Sequence, residues 1–229
     1  INHILENHRD NPKANSAKIL KDLIYKGSED KLPLKVVPGQ YHLSRSKSLY
    51  KSKQYGLCLI EAETAARLSP DDLKVQEILV GLHSMFLRLD MAEKSVEKFI
   101  VYAKANNKLK SRGYQELADI EVLRGHLKKA KELYEKAKTL GDPNGIAKAT
   151  LEEFPEELDS TERQPLNPNT LFINPINALN RKGEIFAHFG MYQRAMGIYS
   201  MVLRMNPTNL TALLNTATAN YENEKYNRA

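Results

Sequence analysis

Apolar residues recur at i, i+3, i+4 and i+7 along most of the chain, as at Leu117, Ile120, Leu127, Leu133 and Tyr134 among Lys and Glu. That spacing places them on one face of a helix, whereas a half-buried strand needs strict alternation. Long alternating β-branched runs are absent from the sequence. Prolines fall mostly between the periodic segments, at Pro12, Pro33, Pro38, Pro70, Pro143 and Pro207. A ring without an N–H cannot continue a helix, so these are stops. The pattern predicts an all-α protein, with helices of about 12–17 residues joined by short turns.

Within that pattern, small and aromatic residues recur at fixed offsets. Gly183, Phe186, Gly190, Tyr192, Ala195, Tyr199, Val202 and Pro207 form one unit. Tyr114, Leu117, Ala118, Gly125, Leu127, Ala130, Tyr134 and Ala137 repeat its spacing. A third unit runs through Ser46, Leu49, Tyr55, Cys58, Ala62, Ala65 and Pro70, and a further one begins at Leu213, Ala217, Tyr226 and Ala229. A weaker unit lies between, through Leu79, Gly81, Leu89, Ser95, Phe99 and Ala103. The small residue of each first helix falls at 46, 81, 118, 183 and 217, in steps of 35, 37, 65 and 34. A period near 34, interrupted once, means stacked helical pairs in a solenoid. Two antiparallel helices approach closely only where a side chain at the crossing is small. Gly183 and Ala195 are expected at that approach, with Phe186 and Tyr199 filling the space between pairs.

This pattern resembles the tetratricopeptide repeat (TPR) family, whose signature runs W-x2-L-G-x2-Y, then Gly and an aromatic, then A-x3-F-x2-A and a closing Pro. Residues 179–207 and 114–137 carry it, with departures: Leu179, Tyr114 and His42 stand at the Trp position, and Lys182 where Leu is usual. The resemblance implies a right-handed superhelical solenoid of antiparallel helix pairs with one long insertion. It divides the chain into an N-terminal helical cap (1–38), repeats 1–3 (39–144), an insertion or linker (145–173) and repeats 4–5 (174–229), the last one truncated. It also implies a non-catalytic scaffold that binds a protein or peptide with the first helices of the pairs, which line a concave groove. Carried over position by position, the partner-binding residues are Lys47 and Tyr50, with Gln40 and Ser44, in the first repeat. Arg112, Gln115, Glu116 and Asp119 follow in the third. Asn177, Asn180, Arg181, Glu184 and His188 follow in the fourth, and Thr211, Asn215, Thr218 and Tyr221 in the fifth. Asn180, Arg181, Asn215 and Tyr221 are the foremost of these, because Asn pairs with a peptide backbone and Arg grips a carboxylate. A clamp for a partner's C-terminal carboxylate is not expected, since Leu43 stands where its lysine would be.

Two segments fall outside the register. "NSAKILKDLIYKG" within 1–38 reads as a helix with Ile19, Leu20, Leu23 and Ile24 on one face, started by Asn15 or Ser16 and ended by Gly27. In the insertion, "GIAKATLEEF" reads as two or three helical turns and "PEELDSTERQPLNPNTLFINP" as an extended connection. Its triplet Leu171, Phe172 and Ile173 calls for cover, either along the groove or as an ordinary strap.

Hydrophobic content of 41% and charged content of 27% fit a folded protein rather than a disordered one. No apolar run is long enough to span a bilayer. The chain starts at Ile without a targeting signal and is expected to be a piece of a longer one. Cys58 is the sole cysteine. It excludes an intrachain disulfide, points to a cytoplasmic setting, and is expected to be a small buried residue. Nucleotide loops, paired cysteines and His-Glu-x2-His are missing. His3 and His8 stand five apart on different helix faces, so no metal pair is expected. The chain is read as no enzyme, with no cofactor and no metal.

The net charge of +6 is uneven: residues 1–60 carry 11 Lys and Arg against 5 Asp and Glu, and the rest carries 23 of each sign. Nucleic-acid binding through Lys13, Lys18, Lys21, Lys26, Lys31 and Lys35 is therefore one rival reading. The lack of interleaved aromatics counts against it. Another rival rests on residues 177–207, which are similar to repeats found after receiver domains in some bacterial signalling proteins. That resemblance implies an output module of a response regulator.

Overall fold

The computed structural model describes residues 38–155 and 172–227. They form ten helices: α1 Pro38–Lys51, α2 Tyr55–Leu68, α3 Leu73–Met85, α4 Leu89–Tyr102, α5 Asn107–Arg124, α6 Leu127–Thr139, α7 Ile146–Glu152, α8 Pro175–His188, α9 Tyr192–Met205 and α10 Leu210–Asn227. No strand occurs among the described residues. The fold is an all-α solenoid of antiparallel helix pairs, α1/α2, α3/α4, α5/α6 and α8/α9, each pair packed within itself. The segments 1–37 and 156–171 lie outside the described residues, and with them the N-terminal helix read at 15–27.

The helix starts are set by short polar side chains. Asp72 accepts from the Lys74 amide at 2.9 Å, Asn106 from Leu109 at 3.1 Å and Asn174 from Ile176 at 2.9 Å. Each satisfies one of the amides that a helix start leaves without a partner. Pro175 opens α8, where a missing N–H costs nothing. Gly125 ends α5 in the left-handed region, at φ 85°, which a side chain would disfavour.

The period seen in the sequence marks a real crossing within each pair. A Cβ on Gly183 would stand 2.3 Å from Cε1 of Tyr199, so the two helices touch there and only glycine fits. Ala118 and Ala130 are both fully buried at the equivalent crossing of α5 and α6. In the first pair Ser46 donates to the Cys58 carbonyl at 3.0 Å. Cys58 is buried, as expected.

The second pair corrects the reading. Gly81 is not at the crossing: a Cβ there would meet nothing within 4 Å. His83 occupies the place instead, its Nδ1 3.1 Å from Ser95 Oγ, and so the steps are 37 and 35. In α10, Ala217 is exposed, while Ala212 and Ala219 are buried.

Three apolar cores follow one another along the array. Leu43, Cys58, Ala62 and Val75 join α1, α2 and α3. Val80, Val96, Phe99 and Ile120 join α3, α4 and α5. The largest core carries Leu123, Tyr134, Phe154, Leu179, Phe186 and Tyr199. α7 stacks on α6, as the next first helix should, but it is short. After the insertion the chain does not simply resume the stack. α8 packs against α5 and α3, and α9 against α7.

Candidate functional site

The foldback of α8 and α9 is pinned by one buried carboxylate. Asp119 on α5 is 0% exposed. It accepts from Tyr134 Oη on α6, lies 2.8 Å from Lys182 Nζ on α8, and pairs with the Arg194 guanidinium on α9. Burial alone would raise its pKa. The Arg194 and Lys182 cations outweigh that and hold the carboxyl far below the usual carboxylate range. Burial and the neighbouring Asp119 push the Tyr134 phenol well above its ordinary value. Further contacts join the same parts of the chain. The Glu153 carboxylate accepts from the Gln193 amide at 2.8 Å, and Lys53 Nζ donates to the Met205 carbonyl at 2.8 Å.

Asp119, expected to face a partner, is therefore consumed inside the molecule. The physical reason is the pair of cations brought to it by the returning helices. Lys182 stands where the family pattern has Leu, and that departure was the sequence signal of this cluster. Arg194 gave none. Arg112 and Gln115 are also engaged, with Glu77 at 2.8 Å and with Asp142 Oδ1 at 2.7 Å. Both line a cavity of about 530 Å³ between α3, α5, α7, α8 and α9. The expected continuous surface running from α1 through α5 to α8 and α10 is thus interrupted at α5.

The other expected residues fall on two further patches. On α1, Lys47 is exposed, and Tyr50 lies edge-on to Tyr55 with centroids 5.4 Å apart. Gln40 is taken up by Asp72 at 2.6 Å. On α8, Asn177, Arg181 and His188 are exposed and Glu184 is half-buried, with Arg181 Nη1 3.2 Å from Glu184. On α10, Thr211 and Thr218 are exposed, with Leu214 at 68% and Tyr221 at 66%.

Asn180 and Asn215 differ from their neighbours. Asn180 is 6% exposed and donates its Nδ2 to Asn209 Oδ1 at 3.2 Å. Its Oδ1 is buried without a hydrogen-bond partner, and so is Nδ2 of Asn215. Asn215 lies near enough to the Tyr199 phenol to lower its pKa a little, but Nδ2 falls short of hydrogen-bond geometry. One orphan is an acceptor and the other a donor, on helices α8 and α10, which pack against each other. Buried polar atoms are nearly always paired, so two orphans in one region stand out.

Of the insertion's apolar triplet, Phe172 is half-buried against the largest core, Ile173 is 93% exposed, and Leu171 lies outside the described residues. The lysines from Lys13 to Lys35 lie outside them too. Among the described residues, no helix is long and apolar enough to cross a membrane.

No family model matches the chain, and no curated protein matches it. Solved structures are similar to it, two TPR proteins among them. One is YrrB, a TPR protein with an unusual peptide-binding site: 15% identity, a TM-score of 0.38, and coverage of 89% of this chain and 83% of that one. The other is TTC0263, a thermophilic TPR protein in Thermus thermophilus: 15% identity, a TM-score of 0.41, and coverage of 79% of this chain and 98% of that one.

Proposed function

We propose that the chain is an interaction scaffold that holds an extended peptide against α8 and α10. The observation that carries this is the orphaned pair, Asn180 Oδ1 and Asn215 Nδ2. An unmet buried acceptor and donor cost stability in the free protein. A peptide strand that parts the side chains covering these atoms offers the complement, an N–H and a C=O on each residue. Leu214 and Tyr221 beside them supply apolar contact for side chains, and Arg181 and Glu184 give charge selection at the α8 edge. The remaining carried-over residues, Asn177, His188, Thr211 and Thr218, border this surface.

The test is a selection of peptides from a random library on the whole chain, followed by calorimetry with pure peptides. Asn180→Leu and Asn215→Leu are expected to weaken binding about tenfold each, as one lost hydrogen bond implies. Thermal unfolding is measured alongside, because Asn180→Leu removes the bond to Asn209 together with the unmet acceptor. Peptides that bind both variants as tightly as the original chain would remove the proposal.

A further inference from the structure

Three glycines inside helices, Gly56, Gly81 and Gly197, have no packing reason to be glycine, and the last two face one space. A Cβ built on Gly81 in α3 or on Gly197 in α9 meets nothing within 4 Å. The same atom on Gly113 or Gly183 would strike Ile100 or Tyr199. Alanine at Gly81 or Gly197 would favour the helix by roughly 0.5–1 kcal/mol each. Gly81 and Gly197 line the 530 Å³ cavity; Gly145, just before α7, lines it too, but its φ of 68° calls for glycine by itself. Helices α3 and α9 thus expose bare backbone to one space, which side chains would otherwise narrow.

The rest of the lining has a definite chemistry. Val80, Leu179, Ile198 and Met201 give an apolar surface. Arg112, Lys182, Arg194 and Arg204 stand against only Glu77 and Glu116. Arg112 is matched by Glu77. Lys182, 5% exposed, shares the single charge of Asp119 with Arg194. Arg204 makes no ion pair among the described residues. The volume lies within the range of small-molecule sites, about 300–1,000 Å³.

We propose that this cavity binds an amphipathic organic anion, its apolar body against Val80, Leu179, Ile198 and Met201 and its acid group among the cations. The site is separate from the orphaned asparagines, so either proposal stands without the other.

The probe is 8-anilinonaphthalene-1-sulfonate, a ring system with one acid group, compared with its uncharged relative N-phenyl-1-naphthylamine. The sulfonate is expected to bind saturably, one per chain, and to weaken with added salt. Gly197→Leu fills the cavity and is expected to cut sulfonate affinity about tenfold or more. Its unfolding temperature should hold or rise, because leucine is the better helix former. Arg204→Gln, on an exposed and unpaired side chain, tests the charge without touching the core and is expected to weaken the sulfonate but not the neutral dye. Three results would overturn the proposal: no saturable binding, unchanged affinity in Gly197→Leu, or equal affinity for the neutral dye.

Discussion

Gly183 and Gly81 both stand in first helices and both read from the sequence as the small residue of a crossing, but only Gly183 is at one. Gly183→Ala drives a Cβ into the Tyr199 ring and is expected to lose about 1–3 kcal/mol, the usual range for overpacking. Gly81→Ala is expected to gain roughly 0.5–1 kcal/mol through helix propensity. Denaturant titration of the two variants checks both the crossing and the corrected register. The sequence showed Gly183 clearly, because its whole unit agreed with it. Gly81 misled because it is small, whereas the residue at the crossing, His83, is not. The Ser95 hydroxyl opposite it and the Glu63 carboxylate beside it hold that histidine in place. Tyr199 itself reports on alkaline stability. Burial, and then the charge of Glu184, push its phenol up to about 12. The unfolded chain ionises near the ordinary value of about 10. The folded-state value is the higher one, so this contribution is complete below pH 10 and is lost as pH rises toward 12. Tyr199→Phe should show a shallower loss of stability over that interval in denaturant midpoints.

Helices are the scale at which the sequence spoke most clearly. The apolar stripes, the prolines between them and the capping side chains agree with one another, and such agreement specifies local structure. The short α7 follows from "GIAKATLEEF" for the same reason. Asn106→Ala removes the cap of α5 and is expected to cost about 1 kcal/mol, measured by thermal unfolding. α10 shows the limit of reading a helix by itself. Ala217 fits the spacing of the repeat, yet Ala212 and Ala219 are the buried pair. Which face is covered depends on the neighbour, here α9, and a helical stripe of small residues does not name its neighbour.

The whole molecule turns on the return of α8 and α9 to the array. Asp119→Asn leaves two buried cations short of their counter-charge and is expected to cost roughly 3–5 kcal/mol. Replacing all four, as Asp119→Leu, Lys182→Leu, Arg194→Met and Tyr134→Phe, should recover most of that, since the burial of charge is removed with the pairing and no phenol is left unmet. Amide exchange locates the effect. In Asp119→Asn, α8 and α9 should lose protection together with α5 and α6, while α1 and α2 keep theirs. A strictly sequential stack would pass the loss only to nearest neighbours. The depressed pKa of Asp119 adds a pH signature. Its stabilising contribution is complete above the ordinary carboxylate range, about pH 4, and is lost only far below it. Mild acid should therefore leave the foldback intact, as read by exchange or by radius of gyration.

By itself the sequence determined the all-α class, the period and the crossings at Ser46, Ala118 and Gly183. Those features rest on contacts within one helix or between consecutive helices, and their signals lie within about 35 residues of one another. It also pointed to Asn180 and Asn215, because position in the repeat selects a face. Tertiary structure alone decided that the array closes on itself, that Asp119 and Gln115 turn inward while Arg112 pairs with Glu77 at the surface, and that glycines from separate helices open onto one cavity. Those outcomes need residues 75 apart, such as Asp119 and Arg194, to meet. No local pattern records such a meeting, because charge pairing across a fold follows from where the backbone has already been carried.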